Sequence, residues 1–103
     1  MRSNYIVWLP EAVADLNDIL DFIAEQNVLA ALGVDAQIKR QIDQLINFPL
    51  LGRKGRILGS YELVISRTPY LAAYRLQEKQ IQILHIFHER RSWPPETTPK
   101  FEA

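Results

Sequence analysis

The chain has 103 residues, twelve basic and twelve acidic side chains, 48% hydrophobic residues and no cysteine. A chain of this length is one domain, able to bury roughly two thirds of the surface its unfolded form exposes. The missing thiol excludes a disulfide framework, a thiolate metal site and a cysteine nucleophile. No apolar run approaches the ~20 residues of a membrane span, and the N-terminus carries no basic-then-apolar leader; the expected location is the cytoplasm.

The zero net charge hides a polarity. Residues 1–50 hold three basic against seven acidic side chains, whereas residues 51–103 hold nine basic against five acidic. Such a split suits either a surface for a polyanion or acidic partner, or acidic helix faces opposite basic loops. Overall neutrality argues against strong sequence-independent binding to nucleic acid, which depends on phosphate neutralisation.

In chain order, Tyr5-Ile-Val-Trp-Leu9 is β-branched and aromatic and stops at Pro10, which reads as a strand. Pro10 suits the first turn of a helix, where its missing N–H is not needed. Ala12, Val13, Leu16, Ile19, Leu20 and Ile23 then form one helical face, and Glu11, Asp15, Asp18, Asp21 and Glu25 form a solvated acidic face. Carboxylates three and four apart on one helix do not converge on a cation, so no metal is expected there. Asn27 stops this helix and N-caps a second, spanning about 28–47, with its stripe at Ala31, Val34, Ile38, Ile42 and Leu45. The two helices form an antiparallel hairpin in which Gly33 allows close approach, and Phe48-Pro49 ends it.

Leu50-Leu-Gly-Arg-Lys-Gly-Arg56 is a loop with two glycines and three cations, without the spacing of a phosphate loop. Ile57-Leu58, a Gly59-Ser60 turn and Tyr61–Ser66 read as a short hairpin. Thr68-Pro69 turns the chain into a strand over 70–76, and Gln77-Glu-Lys-Gln80 turns it into a last strand over 81–88. That strand is apolar on both faces and is expected to be central in the sheet. Helices followed by meandering strands specify an α+β fold, one twisted sheet with the helices on one face. Residues 1–95 form the single domain and 96–103 a loose tail.

The last strand runs into His88-Glu-Arg-Arg-Ser-Trp-Pro94. His88 has the chemistry of a general acid or base, or of a strand-end partner-binding histidine. His85, on the opposite face of a regular strand, reads as a satisfied core or edge residue. Arg90, Arg91 and Trp93 suit recognition, since guanidinium groups make bidentate contacts and an indole supplies desolvated area; alternatively Trp93 caps the core while the arginines face water. Arg53, Lys54 and Arg56 in the glycine loop suit a polyanion or an acidic segment, or simply solvent. Arg67 and Arg75 mark strand ends.

Trp8-Leu-Pro-Glu-Ala-Val-Ala-Asp-Leu-Asn-Asp-Ile19, Ala30-Ala31, Pro49-x-x-Gly-Arg53, Tyr61-Glu-Leu, Pro69-Tyr-x-x-x-Tyr-Arg75 and Ile83-Leu-x-Ile-x-His88-x-Arg-Arg-x-Trp-Pro94 together resemble the RelE/ParE toxin superfamily over about residues 5–94. The acidic helix start and the His-x-Arg-Arg ending are closer to its ParE branch. The resemblance implies the toxin of a type II toxin–antitoxin pair. A cognate antitoxin would wrap it in a hetero-oligomer, no cofactor would be needed, and growth inhibition would serve plasmid stabilisation or stress response.

Within the superfamily, ParE-like members poison DNA gyrase and RelE-like members cut messenger RNA in the ribosome. Aligned on Tyr61, Tyr70 and Tyr74, the RelE lysines fall on Glu62 and Val64. The arginine after the strand tyrosine falls on Leu71, the C-terminal arginine on Glu89, and the late tyrosine on or near Pro95. A one-residue slip recovers only Arg90. Cleavage by 2′-OH attack needs a base, an acid and cations for the phosphorane charge. The resemblance therefore implies action by binding, through Arg53, Arg56, Arg67, His88, Arg90, Arg91 and Trp93. The alternative is an endoribonuclease with His88 as acid or base and Arg56, Arg67 or Arg91 on phosphate.

Overall fold

A computed structural model describes residues 4–90. Strand β1 (Tyr5–Trp8) leads into helices α1 (Pro10–Gln26) and α2 (Val28–Asp43), the latter extended by a 3-10 turn at Gln44–Ile46. Strands β2 (Arg53–Lys54), β3 (Tyr61–Val64), β4 (Tyr70–Gln77) and β5 (Gln80–His88) follow. The five strands form one sheet in the order β1-β5-β4-β3-β2. β1 runs parallel to β5, and every other neighbouring pair is antiparallel. No helix among the described residues is long and apolar enough to cross a membrane.

Local chemistry explains the helices. Pro10 occupies the first turn of α1, and the Asn27 side chain accepts the Ala30 N–H at 3.0 Å, capping α2. The apolar face of the hairpin buries Ala12, Leu16, Ile38, Ile42 and Leu45 against Leu63, Tyr74, Ile81 and Ile83 of the sheet. Each fully buried isoleucine there stabilises the fold by roughly 1.5–3 kcal/mol relative to exposure. The opposite sheet face has its own small core of Ile57, Leu71, Ala73, Leu84 and Phe87 with Leu9 against it. That core contains no helical residue, so the helices lie on one face, as expected, and the loop after β2 covers the other.

The expected hairpin differs in its first arm. The short strand opposite β3 is Arg53–Lys54 rather than Ile57-Leu58, with Arg53 opposite Glu62 and Lys54 opposite Tyr61. Ile57 instead drops into the second core, because its side chain gains more by burial there than at an exposed sheet edge. Two further expectations are corrected. Val13 is 43% exposed, outside the buried face of α1. A Cβ built on Gly33 meets nothing within 4 Å, so that glycine mediates no close helix contact.

The last strand, β5, is not the central one as expected: it lies one strand from the edge, and β4 is central, because β1 covers one side of β5 and β3 and β2 follow β4 on the other. Between the Tyr74–Ile83 and Ala73–His85 pairs the register shifts and Leu84 is the extra residue. A bulge of this kind reverses which residues of β5 turn their backbone groups toward the β1 side.

Candidate functional site

The consequence of that bulge appears where β1 ends. Leu9 N–H bonds Ile83 C=O at 3.0 Å, and the chain then turns away into α1, leaving the next part of β5 without a strand beside it among the described residues. Asp15 of α1 takes the place of the missing strand. Its Oδ2 accepts the Ile86 backbone N–H at 3.0 Å and lies 2.9 Å from His85 Nδ1. Asp15 was expected on a solvated acidic face; the correction follows from an open strand edge that needs an acceptor. His85 is satisfied at the edge, as expected.

His88 closes β5 opposite Tyr70 of β4, and the two rings meet edge to face with centroids 5.6 Å apart. His88 Nδ1 accepts the Arg90 backbone N–H at 3.0 Å. One ring nitrogen is thus committed to the local turn, and in the neutral ring the free Nε2 carries the proton as a donor. The groove onto which His88 opens has a volume of about 270 Å³ and is lined by Asp15, Asp18, Ile19, Phe22 and Tyr70 among others. Two carboxylates line this groove, and no lysine or arginine does so among the described residues. Burial raises the Tyr70 phenol above its ordinary value, so Tyr70 presents an O–H at neutral pH.

The glycine loop is organised from below by Glu62, which the alignment to the RelE branch marked only as a lost cation position. Its side chain is 1% exposed and its Oε1 lies 3.3 Å from Arg53 Nη2. Oε2 accepts the Arg56 backbone N–H at 3.1 Å and lies 3.6 Å from Arg56 Nε. A buried carboxylate is tolerable only with such compensation, and here the compensation fixes the loop. The Arg56 guanidinium also sits 6.0 Å from the Phe87 ring centroid, within cation–π range. Phe87 packs in the core opposite the helices and is also among the residues that line the groove at His88.

Two glycines allow this closeness. A Cβ on Gly52 would lie 2.7 Å from the Tyr74 hydroxyl and 2.8 Å from the Glu62 carbonyl, and one on Gly55 would collide with the Ser60 hydroxyl. Tyr74, fully buried, accepts Gly52 N–H and donates to Pro49 C=O, both at 2.9 Å.

Arg67 stands at the β3–β4 turn with φ 67, in the left-handed region. Arg90 is exposed just beyond β5. The structure therefore separates the anticipated cations: Arg53 and Arg56 on the Glu62 loop, Arg67 at the β3–β4 turn, His88 and Arg90 at the end of β5. Arg91 and Trp93 lie outside the described residues. The signal for Glu62 was a carboxylate inside an apolar strand near two arginines; nothing in helical spacing distinguished Asp15 from its acidic neighbours.

Comparison with known proteins agrees with this architecture. The chain is 34% identical over 94 residues to toxin Y4kP of Sinorhizobium fredii, covering 91% of this chain and 97% of that relative. It is 33% identical over 86 residues to toxin RelE2 of Caulobacter vibrioides, covering 84% and 96% respectively. A solved structure described as a chromosomal ParDE TA system from P. aeruginosa superposes with a TM-score of 0.75 at 30% identity, covering 82% of this chain and 95% of that one. The family described as ParE toxin of type II toxin-antitoxin system, parDE, matches residues 6–93; with this fold and these relatives, the chain belongs to the ParE toxin family.

Proposed function

We propose that this toxin arrests growth by binding its target, DNA gyrase, without covalent chemistry of its own, and that a cognate antitoxin neutralises it. The observation that carries binding over RNA cleavage is the setting of His88. Its Nδ1 is taken by the Arg90 backbone N–H, and the groove beside it is flanked by Asp15 and Asp18. Carboxylates there would repel a phosphate and raise the barrier to a phosphorane that needs cations. The imidazole edge of His88, a phenol O–H and an exposed Phe22 instead suit recognition of another protein surface. Arg53, Arg56, Arg67 and Arg90, with Arg91 and Trp93, complete the proposed contact set. The likeness to a ParDE system supports an antitoxin as the second partner.

The deciding experiment pairs a gyrase supercoiling assay with cell-free translation, using the purified chain. Loss of supercoiling or trapped cleaved DNA, with translation intact, is the expected result; unaffected gyrase at micromolar toxin refutes the target. The relative named RelE2 keeps the nuclease as the competing reading. In that case translation stops, and His88→Ala abolishes toxicity while antitoxin binding persists.

A further inference from the structure

Where the β3–β4 turn meets α2 there is a cavity of about 350 Å³ that shares no residue with the groove at His88. It is lined by Gln37, Arg40 and Gln41 of α2, Gln44 of the 3-10 turn, and Ser66 and Arg67 at the β3–β4 turn. Every one of these side chains is polar, and two of them are guanidinium groups. Neither Arg40 nor Arg67 has a carboxylate partner among the described residues. Asp43, about one turn along α2 from Arg40, does not line the cavity.

The hydrogen bonds around the cavity run in one direction, set by the backbone of Ser66. Buried Gln41 accepts Ser66 N–H through Oε1 at 2.7 Å and donates from Nε2 to Ser66 C=O at 3.0 Å. Held this way, Gln41 Nε2 also donates to Gln37 Oε1 at 2.9 Å. Arg40 Nη2 donates to the same Gln37 oxygen. Gln37 Oε1 thus uses both lone pairs inside the network, and the group left to Gln37 is its amide NH₂, a donor. An amide in place of a carboxylate positions Arg40 without neutralising it. Arg67 follows Ser66 directly, and its φ of 67 lies in the left-handed region that disfavours a residue with a Cβ. Strain of this kind, locked by its neighbours, is a feature of binding sites.

We propose that this cavity is a phosphate-binding site, in which Arg40 and Arg67 hold the oxygens of one phosphate group and Gln37 Nε2 is a third donor. Guanidinium forks match phosphate oxygens in pairs, and an uncompensated pair of forks in a polar recess favours a group of high charge. Phosphate also carries more acceptor oxygens than a carboxylate, which suits two forks and an amide. A cation is repelled by the same two charges. The site stands apart from the gyrase reading, since neither requires the other.

The test titrates inorganic phosphate into the full chain at constant ionic strength, followed by NMR at the Ser66 and Arg67 amides and the Arg40 Nε–H. Saturable shifts at these groups, absent with chloride alone, are the expected result. Arg40→Gln and Arg67→Gly are each expected to weaken binding about tenfold or more, the scale of one lost charge-assisted hydrogen bond. Both positions are exposed, and glycine relaxes the backbone at 67, so folding is retained. Gln37→Glu keeps an acceptor for Gln41 and Arg40 but neutralises the guanidinium. Its thermal midpoint is expected at or above the parent's while phosphate binding is lost; a merely structural Gln37 would leave phosphate binding intact. Shifts that do not saturate in the parent overturn the proposal, as does saturable binding unchanged in all three variants. Capture of a polyglutamate peptide by a chain that ignores phosphate also overturns it, making the cavity a carboxylate surface. A competition arm separates the sources of a confirmed site. Short duplex DNA that displaces phosphate with a steep salt dependence assigns it to a nucleic-acid backbone, and no displacement assigns it to free phosphate or a phosphorylated small molecule.

Discussion

Tyr74→Phe isolates the hydroxyl that ties the glycine loop to the sheet. Tyr74 is fully buried and its ring stacks on Tyr61 with centroids 5.4 Å apart, so the variant keeps the packing and loses two bonds of 2.9 Å, to Gly52 N–H and Pro49 C=O. A net hydrogen bond contributes about 0.5–1.5 kcal/mol, and an orphaned buried group costs about 1–3 kcal/mol. Gly52 and Pro49 are partly exposed, which lets water replace some of what is lost, so each of the two orphaned groups costs the lower figure of about 1 kcal/mol, about 2 kcal/mol together. For a domain of this size that lowers the thermal midpoint by roughly 10 °C. Urea denaturation at neutral pH should show a lower midpoint with an unchanged slope.

The same residue gives a pH signature. Burial raises the Tyr74 phenol above 10.0, with a smaller rise from Tyr61 that the Gly52 bond opposes. The folded state therefore favours the protonated phenol. This stabilisation is fully present below the unfolded value near 10 and is lost as pH rises through the higher folded value. Phenylalanine carries no such dependence, so the stability gap between the two proteins narrows above about pH 10. A gap below about 0.5 kcal/mol at neutral pH, the level of an ordinary surface change, would refute the reasoning, as would a gap unaffected by alkali.

Other substitutions probe features that distinguish tertiary from local effects. Gly33→Ala adds a Cβ into open space within α2 and should stabilise the fold by about 0.5–1 kcal/mol; a fall in thermal midpoint would contradict the absence of a helix contact there. Asp15→Ala orphans the Ile86 N–H, costs about 1–3 kcal/mol, and should speed hydrogen exchange at Ile86, an unchanged rate counting against Asp15 as the edge cap. Glu62→Gln keeps the volume but removes the charge that holds Arg53 and Arg56. Both arginines are half exposed and water takes them over, so about 1–2 kcal/mol is expected, with faster exchange at the Arg56 amide; protection equal to the parent's would dismiss Glu62 as the loop's organiser.

Much of the fold is legible in the order of residues alone. The period of Ala12, Leu16, Ile19 and Ile23, Pro10 at a helix start and Asn27 as a cap each act within a few residues, so the chain announces both helices and nearly their ends. The strands at 70–77 and 80–88, their turn, and the ordered motifs that resemble RelE/ParE toxins are legible for the same reason. The site is only half legible. The residue types of Arg53, Arg56, Arg67, His88 and Arg90 invite recognition chemistry, but nothing in their spacing reveals which of them share a face.

What tertiary structure decided is the pairing of residues far apart in the chain. Asp15 and His85 are separated by 70 positions and meet only because β1 lies parallel to β5, stops short, and sends α1 back over the open edge. Arg67 joins Arg40 only because the β3–β4 turn comes up beside α2, where Gln41 holds Ser66. A pattern of polar and apolar residues encodes which face of an element turns inward, since burial depends on that face alone. Sheet order and edge exposure depend on how whole elements compete for neighbours, and here they turned an acidic residue on a helix into a cap on the edge of β5.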